Sequence, residues 1–312
     1  MTDKPHILRV AKLSDQSNAE LADNFFVHTL PSDAAEADAF FDSAGPKIRG
    51  IAVRKTIIDK AMIDRLPALE IISSYSAGTE NIDTAYAREK GITVANTSHI
   101  LADEVANLAL AQILAMTRDL VNADAFIRQG KWTNETFPLT RSLKGMKIGI
   151  VGFGHIGSEI AKRLDAMGAR PAYTGPNSKP VDYPFYETPL ELARATQMLV
   201  VTCPLTDETR GMIDAEVLAA IGADGYLVNI ARGPIVDEQA LIALLARDGL
   251  AGAALDVFAD EPNVPAALIA DRRIVLTPHM ASGTHETRQF MGDAMVDALV
   301  AKLGAEPITR SN

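Results

Sequence analysis

Along the chain, unbroken apolar runs of a few residues alternate with segments whose apolar residues recur at helical spacing. In the first third, "IRGIAV", "EIISSYS" and "GITVANT" predict strands, and "DKAMIDRL" and "NIDTAYAREKG" predict the helices between them. Alanine and leucine from Leu101 to Gly130 predict a long linking helix near 101–120. Beyond it, "KIGIVGFG", "ARPAYTG", "QMLVVTCPL", "GYLVNIARG", "LAGAALDVF" and "RIVLTPHM" predict further strands. The stretches "SEIAKRLDAMG", "PLELARAT", "DAEVLAAIG" and "DEQALIALLARDG" predict helices that separate them. Strands that are apolar throughout, rather than alternating, belong to parallel sheets covered on both faces. The pattern therefore predicts an α/β protein with a small N-terminal unit and a larger one around 145–288. The closing segment "THETRQFMGDAMVDALVAKLG" is helical and is expected to return to the first unit.

Composition narrows the partners. With 312 residues, 47% hydrophobic and 22% charged, the chain fits an ordinary globular protein of one or two domains. A formal charge of −10 argues against nucleic acid, which needs a basic face, and means that an anionic substrate requires locally concentrated donors. The single cysteine, Cys203, rules out an internal disulfide framework and suits a reducing cytoplasm. No secretory signal, membrane-spanning run or metal site is expected.

The first candidate chemistry is a glycine loop. The strand "KIGIVG" runs into Gly152-Phe-Gly154-His-Ile-Gly157, and a helix follows at once, which is the context a dinucleotide fingerprint requires. Gly152 is expected to make the tight turn, Gly154 to admit a pyrophosphate, and Gly157 to let helix and strand pack closely. His155 and Ile156 fill the variable slots of this cofactor-binding loop. An acid about 20 residues on normally holds the ribose 2′-hydroxyl. Here the next strand ends with Thr174, and no carboxylate appears until Asp182. Asn177, Ser178 and Lys179 instead offer donors to a 2′-phosphate, so NADP is favoured over NAD.

Three strand ends then carry polar residues in unusual places. Arg232 follows "LVNIA", Asp256 is read within the apolar strand "AALDVF" with Glu261 in the loop beyond, and His279 follows "RIVLTP". Ligands of open α/β sheets sit just outside the strands' carboxyl ends, so these side chains can converge. Each has a structural alternative: a strand-capping arginine, a turn glutamate before proline, a packed histidine. Together an arginine, a carboxylate and an imidazole make a set suited to hydride transfer. The arginine clamps a substrate carboxylate bidentately, the imidazole gives a proton to a carbonyl oxygen, and the acid steadies the charged ring. His6, His28, His99, His155 and His285 follow no strand with a carboxylate candidate and are read as non-catalytic, with His99 at a helix entrance.

With "VGFGHIG", "NIARGPIVDEQAL", "LDVFADEP" and "TPHMASGT" in that order, the chain resembles the D-isomer-specific 2-hydroxyacid dehydrogenases over nearly its whole length. "SYSAGTENID", "VANTSHILADEVANLAL" and "FPLTRSLKGMKIGIVG" are similar to the glyoxylate/hydroxypyruvate and hydroxyphenylpyruvate reductase branch. The resemblance implies two Rossmann-like domains, a dinucleotide-binding domain at 100–288 inserted into a substrate-binding domain formed by 1–99 plus 289–312. It implies Arg232, Glu261 and His279 as the catalytic set, and backbone amides near Ala77 and Gly78 that hold the substrate carboxylate with Arg232. It implies that Pro204, Thr209, Ile230 and Ala231 line the cofactor groove, that Asp256 accepts from the nicotinamide carboxamide, and that the enzyme is a homodimer. Three residues depart from the branch: Glu80 for the usual Asp, Asn107 for an acid, and Pro176 where NADP users often place an arginine, leaving Lys179 as the expected cation. Trp132 and Phe137 lie in a loop that could reach a neighbouring subunit's pocket, with ordinary packing the expected reading.

The implied activity is reduction of a small 2-oxo acid, such as glyoxylate, hydroxypyruvate or an aryl pyruvate, to the D-2-hydroxy acid. Two alternatives share the architecture, a phosphoglycerate-dehydrogenase-like enzyme and a nucleotide-sensing, corepressor-like binding protein. The non-acidic cofactor strand and the lack of a regulatory domain count against the first, and the compact chain counts against the second. Likeness to formate dehydrogenase is weaker, because formate oxidation needs no acid–base pair.

Overall fold

The predicted strands of the N-terminal third pair side by side, and an acidic side chain opens each helix between them. A computed structural model, which describes residues 4–305, 308 and 310, divides into two units, Met1–Leu101 with Gly283–Asn312 and Ala102–Ser282. The first unit runs β1 (His6–Val10), α1 (Asp15–Asn24), β2 (Phe26–Thr29), α2 (Ala34–Ala44), β3 (Ile48–Val53), α3 (Lys60–Asp64), β4 (Ile71–Ser74), α4 (Thr84–Glu89) and β5 (Thr93–Ala95). Its five strands are all parallel, in the order β2-β1-β3-β4-β5. Asp33, Asp59 and Asp83 accept from the first-turn amides of α2, α3 and α4, which fixes where each helix starts. β1 and β2 were not among the predicted strands. "HILRV" and "FVHT" carry histidine, arginine and threonine, and β2 lies at the sheet edge, where only part of it is covered.

The second unit opens with α5 (Ala102–Thr117) and α6 (Leu120–Arg128). It continues through β6 (Lys147–Val151), α7 (His155–Ala166), β7 (Arg170–Thr174), β8 (Phe185–Tyr186), α8 (Pro189–Ala195), β9 (Met198–Val201) and α9 (Ala215–Ile221). It ends with β10 (Tyr226–Asn229), α10 (Glu238–Ala246), β11 (Gly252–Leu255), α11 (Ala266–Ala270) and β12 (Ile274–Leu276). The seven strands are parallel in the order β12-β11-β10-β9-β6-β7-β8. The order reverses between β6 and β9, which makes that point the crevice where such sheets take a nucleotide. Every residue of β9, β10 and β11 is buried, as continuous apolar strands in a doubly covered sheet require.

The last helix, α12 (His285–Leu303), belongs to the first unit. It packs on that unit's sheet, where Ser73 donates to the Met295 carbonyl at 2.9 Å and Tyr75 donates to the Arg288 carbonyl at 2.7 Å. The architecture is thus α/β with two parallel sheets, and the final helix returns to the first of them. Among the described residues no helix is long and apolar enough to cross a membrane.

Candidate active site

Strand register sets the site. In the second unit Val151 pairs with Val201, Val201 with Asn229, Asn229 with Leu255, and Leu255 with Leu276. The loops that follow these strands therefore leave one edge of the sheet at one level. They carry the glycine loop after β6, Arg232 after β10, Asp256 and Glu261 after β11, and His279 after β12.

The glycine loop has the three features its spacing predicts. Gly152 has a φ of +96°, and a Cβ there would stand 2.7 Å from the Cys203 backbone. A Cβ on Gly157 would stand 2.3 Å from the Gly152 carbonyl oxygen, so only glycine lets α7 start this close to β6. Thr202 closes the same turn, donating to the Gly152 carbonyl at 2.5 Å. At Gly154 nothing lies within 4 Å of a built Cβ, and this residue opens α7 with no side-chain cap. By contrast α9 and α10 are capped by Asp214 and Asp237. A helix start with no side-chain cap, behind an open glycine, is a place where an anion can be met. The residues fit a dinucleotide pyrophosphate.

The neighbouring strand ends with buried Thr174, whose carbonyl accepts from the Gly152 amide at 2.9 Å. Pro176, Asn177, Ser178 and Lys179 follow, all exposed. Sequence reasoning missed what holds this segment: the buried Tyr173 hydroxyl accepts from the Lys179 amide at 2.6 Å. Beyond β9, Thr209 donates to the Pro204 carbonyl at 2.7 Å and accepts from the Thr206 amide at 2.7 Å, so its hydroxyl braces its own loop. Cys203 is buried, and burial pushes its thiol up to about 11, which leaves it a poor nucleophile at neutral pH.

The reacting groups sit on braced turns. Glu261 Oε2 lies 2.7 Å from His279 Nδ1, while its Oε1 accepts from the Phe258 amide at 3.2 Å. His279 itself has a φ of +50°, a left-handed conformation that a non-glycine residue adopts only when its surroundings hold it there. Arg232 is half-buried, and its Nη1 donates to the Ala231 carbonyl at 2.7 Å. Asn229, another residue sequence reasoning passed over, is buried at the end of β10 and spans this turn. Its side chain accepts from the Ala231 amide at 3.1 Å and donates to the Arg232 carbonyl at 3.1 Å. Ile230 and Ala231 are buried inside the same turn. Gly233 lets that turn touch the next loop, since a Cβ there would fall 1.9 Å from the Phe258 carbonyl carbon.

Asp256 requires a correction. It is not within a strand: β11 ends at Leu255, and Asp256 is the first residue past it, fully buried. Its carboxylate turns towards its own protein. Oδ1 accepts from the Thr277 hydroxyl at 2.6 Å and the Met280 amide at 2.9 Å, and Oδ2 from the Ala281 amide at 3.0 Å. The backbone of Asp256 also accepts from the His279 amide at 2.8 Å. A carboxylate has about four lone-pair sites, so Oδ2 keeps one for a further donor.

In the first unit, Ala77 and Gly78 lie in the loop after β4, and among the described residues neither amide donates a hydrogen bond. Asn107 accepts from Arg163 Nε at 2.9 Å and donates to Glu104 at 2.9 Å, which ties α5 to α7. Trp132 is 70% exposed rather than packed, whereas Phe137 stacks edge-on against Phe126 at 5.3 Å. His99 lies in the turn before α5, His155 opens α7, and His285 opens α12. His6 and His28 contact each other at 2.8 Å.

The family model for the D-isomer specific 2-hydroxyacid dehydrogenase NAD binding domain matches residues 110–281, more than half of the chain. The chain belongs to the D-isomer-specific 2-hydroxyacid dehydrogenases. Within that family it is 46% identical to glyoxylate/hydroxypyruvate reductase A of Arabidopsis thaliana, over 80% of each chain. It is 39% identical to hydroxyphenylpyruvate reductase of Plectranthus scutellarioides over 97% of each. The crystal structure of a Sinorhizobium meliloti NADPH-dependent glyoxylate/hydroxypyruvate reductase with NADP and malonate matches with a TM-score of 0.85 and 36% identity. That match covers 96% of this chain and 93% of the other. The 2-hydroxyacid dehydrogenase resemblance and the two-sheet α/β architecture read from the sequence both hold.

Proposed function

We propose that this dehydrogenase reduces small 2-oxo acids, of the glyoxylate, hydroxypyruvate or aryl pyruvate type, to their D-2-hydroxy acids, with NADP(H) preferred over NAD(H). The observation that carries this reading is the Glu261–His279 pair, at the same sheet edge as an uncapped phosphate loop. A bound reduced nicotinamide would supply the hydride. The protein's own part is to orient the keto acid and to deliver a proton.

In this reading Arg232, Glu261 and His279 are the catalytic residues. Arg232 binds the substrate carboxylate through its planar fork, together with the amides of Ala77 and Gly78, which supply anion donors without net charge. The His279 ring gives the proton at Nε2 to the substrate carbonyl oxygen, because Nδ1 is engaged by Glu261. The Glu261 carboxylate holds the ring's orientation from the Nδ1 side. In the reverse direction the same ring accepts the hydroxyl proton.

Gly152, Gly154, His155, Ile156 and Gly157 would hold the pyrophosphate, and Pro204, Thr209, Ile230 and Ala231 would line the groove. Asp256 would offer its remaining acceptor site to the carboxamide. Thr174 places no carboxylate beside the ribose, and Asn177, Ser178 and Lys179 stand exposed where a 2′-phosphate would lie. The NADPH dependence of the Sinorhizobium relative supports that preference.

The functional unit in this proposal is a homodimer. α6 has no buried residue, and exposed Leu120, Val121, Ile127 and Trp132 form an apolar surface that a second copy would cover. A reducing compartment such as the cytoplasm suits the lone buried thiol.

The test is oxidation of NADPH and NADH by the purified protein with a panel of 2-oxo acids. Turnover is expected with at least one acid, faster at low cofactor concentration with NADPH. No turnover with any acid would favour a nucleotide-sensing protein, and equal efficiency with NADH would overturn the cofactor preference.

A further inference from the structure

The buried face of α5 carries two polar side chains, Thr117, which donates to the Ile113 carbonyl one turn back, and Gln112, which cannot satisfy itself within the helix. Gln112 is 2% exposed, and its Nε2 donates to the Thr277 hydroxyl at 2.8 Å. Thr277 has a single hydroxyl proton, and it goes to Asp256 Oδ1 at 2.6 Å, since a carboxylate can only accept. Only a donor can then satisfy the other side of the Thr277 oxygen. Gln112 fills that place with its amide nitrogen, while its Oε1 is buried and meets no partner among the described residues. Leaving a buried acceptor unmet costs stability, so the core would be at least as well served by an apolar side chain here.

We infer that Gln112 is a positioning residue for His279. The inference rests on the proposed role of His279 as the acid. The path is short and wholly inside the second unit. Gln112 sets the Thr277 hydroxyl on Asp256. Asp256 holds the amides of Met280 and Ala281 with its carboxylate, and that of His279 with its carbonyl. Those three amides define the turn that keeps His279 at a φ of +50° and its ring against Glu261. Without the Gln112 donor the hydroxyl is free to rotate away, and Asp256 Oδ1 loses its shortest contact. The turn then relaxes towards commoner backbone angles and the ring leaves its firing position.

Three variants test this in the intact enzyme. Gln112→Leu should keep or raise Tm, keep KM for the cofactor, and lower kcat for 2-oxo acid reduction about tenfold, the scale of a sub-ångström misplacement. Gln112→Glu puts two carboxylates on one hydroxyl proton. Its kcat relative to that of Gln112→Leu at the same pH should fall as pH rises and return towards equality as pH falls. His279→Ala should be inactive. If His279→Ala retains activity, the acid assignment itself fails. If His279→Ala is inactive while Gln112→Leu keeps full kcat, or loses kcat only in step with a lowered Tm, the inference about Gln112 is wrong and the acid assignment stands.

Discussion

The Glu261 carboxylate meets Nδ1 of His279 at 2.7 Å and receives the Phe258 amide on its other oxygen, so the acid is itself held in place. Glu261→Gln keeps the shape and removes the charge. The ring then loses the anion that holds it, and kcat for reduction at neutral pH should fall by roughly tenfold to a hundredfold while cofactor affinity survives. Steady-state rates and a cofactor titration would show it, and an unchanged kcat would remove this role from Glu261.

Arg232 sits on a turn spanned by the Asn229 side chain. Arg232→Ala should cut kcat/KM for 2-oxo acids by about a hundredfold or more while cofactor affinity survives, as expected for losing a charge-assisted fork. Arg232→Lys should recover only a fraction, because an ammonium cannot make both bonds in one plane. Fluorescence titration with the reduced cofactor separates the two effects, and a parallel loss of cofactor binding would contradict the assignment.

Two glycines of one loop should fail differently. Gly154→Ala meets no neighbouring atom, so the apo protein's Tm should stay put while cofactor Kd weakens, because the methyl occupies the anion cradle. Gly157→Ala drives a carbon towards the Gly152 carbonyl, so both Tm and cofactor Kd should suffer. Thermal melts with and without cofactor distinguish the pair, and equal behaviour would mean that the cradle is not where the phosphates lie.

Asp271, just before β12, is held below the usual carboxylate range by the Arg273 guanidinium, against the opposing effect of burial. A carboxyl depressed in the folded state contributes stability above its unfolded value, near 4, and loses it as pH falls through the folded one. Asp271→Asn should therefore destabilise the protein by about 1 kcal/mol at neutral pH, and the gap should close in acid. Urea denaturation of both proteins at neutral and acid pH would measure it.

Most of this architecture was legible in the chain because burial on both sheet faces forces a strand to be apolar throughout. The strand "MLVV" announces itself, whereas "FVHT" lies at a partly covered edge that tolerates histidine and threonine, and "HILRV" beside it is buried only at its Ile7 and Leu8. The glycine loop was legible for a similar reason: steric demands at Gly152 and Gly157 admit one residue type. His279 and Glu261 could be singled out as polar residues following apolar strands. Asn229, Thr277 and Gln112 could not, because a buried amide or hydroxyl acquires its meaning from partners distant in sequence. The Gln112–Thr277 bond joins residues 165 positions apart, and no local pattern encodes it. Asp256 was misplaced because its apolar neighbours continue the strand's pattern one residue beyond the last ladder bond.

The bond from Ser73 to the Met295 carbonyl joins residues 222 positions apart, with the whole seven-stranded unit threaded between them. A ribosome therefore finishes the five-stranded sheet long before it makes the helix that covers it. In that interval the nascent sheet has a greasy side with no lid, the kind of surface that chaperones shield and that sticks to like chains when synthesis outpaces them. Heterologous yield should consequently respond to translation speed and growth temperature.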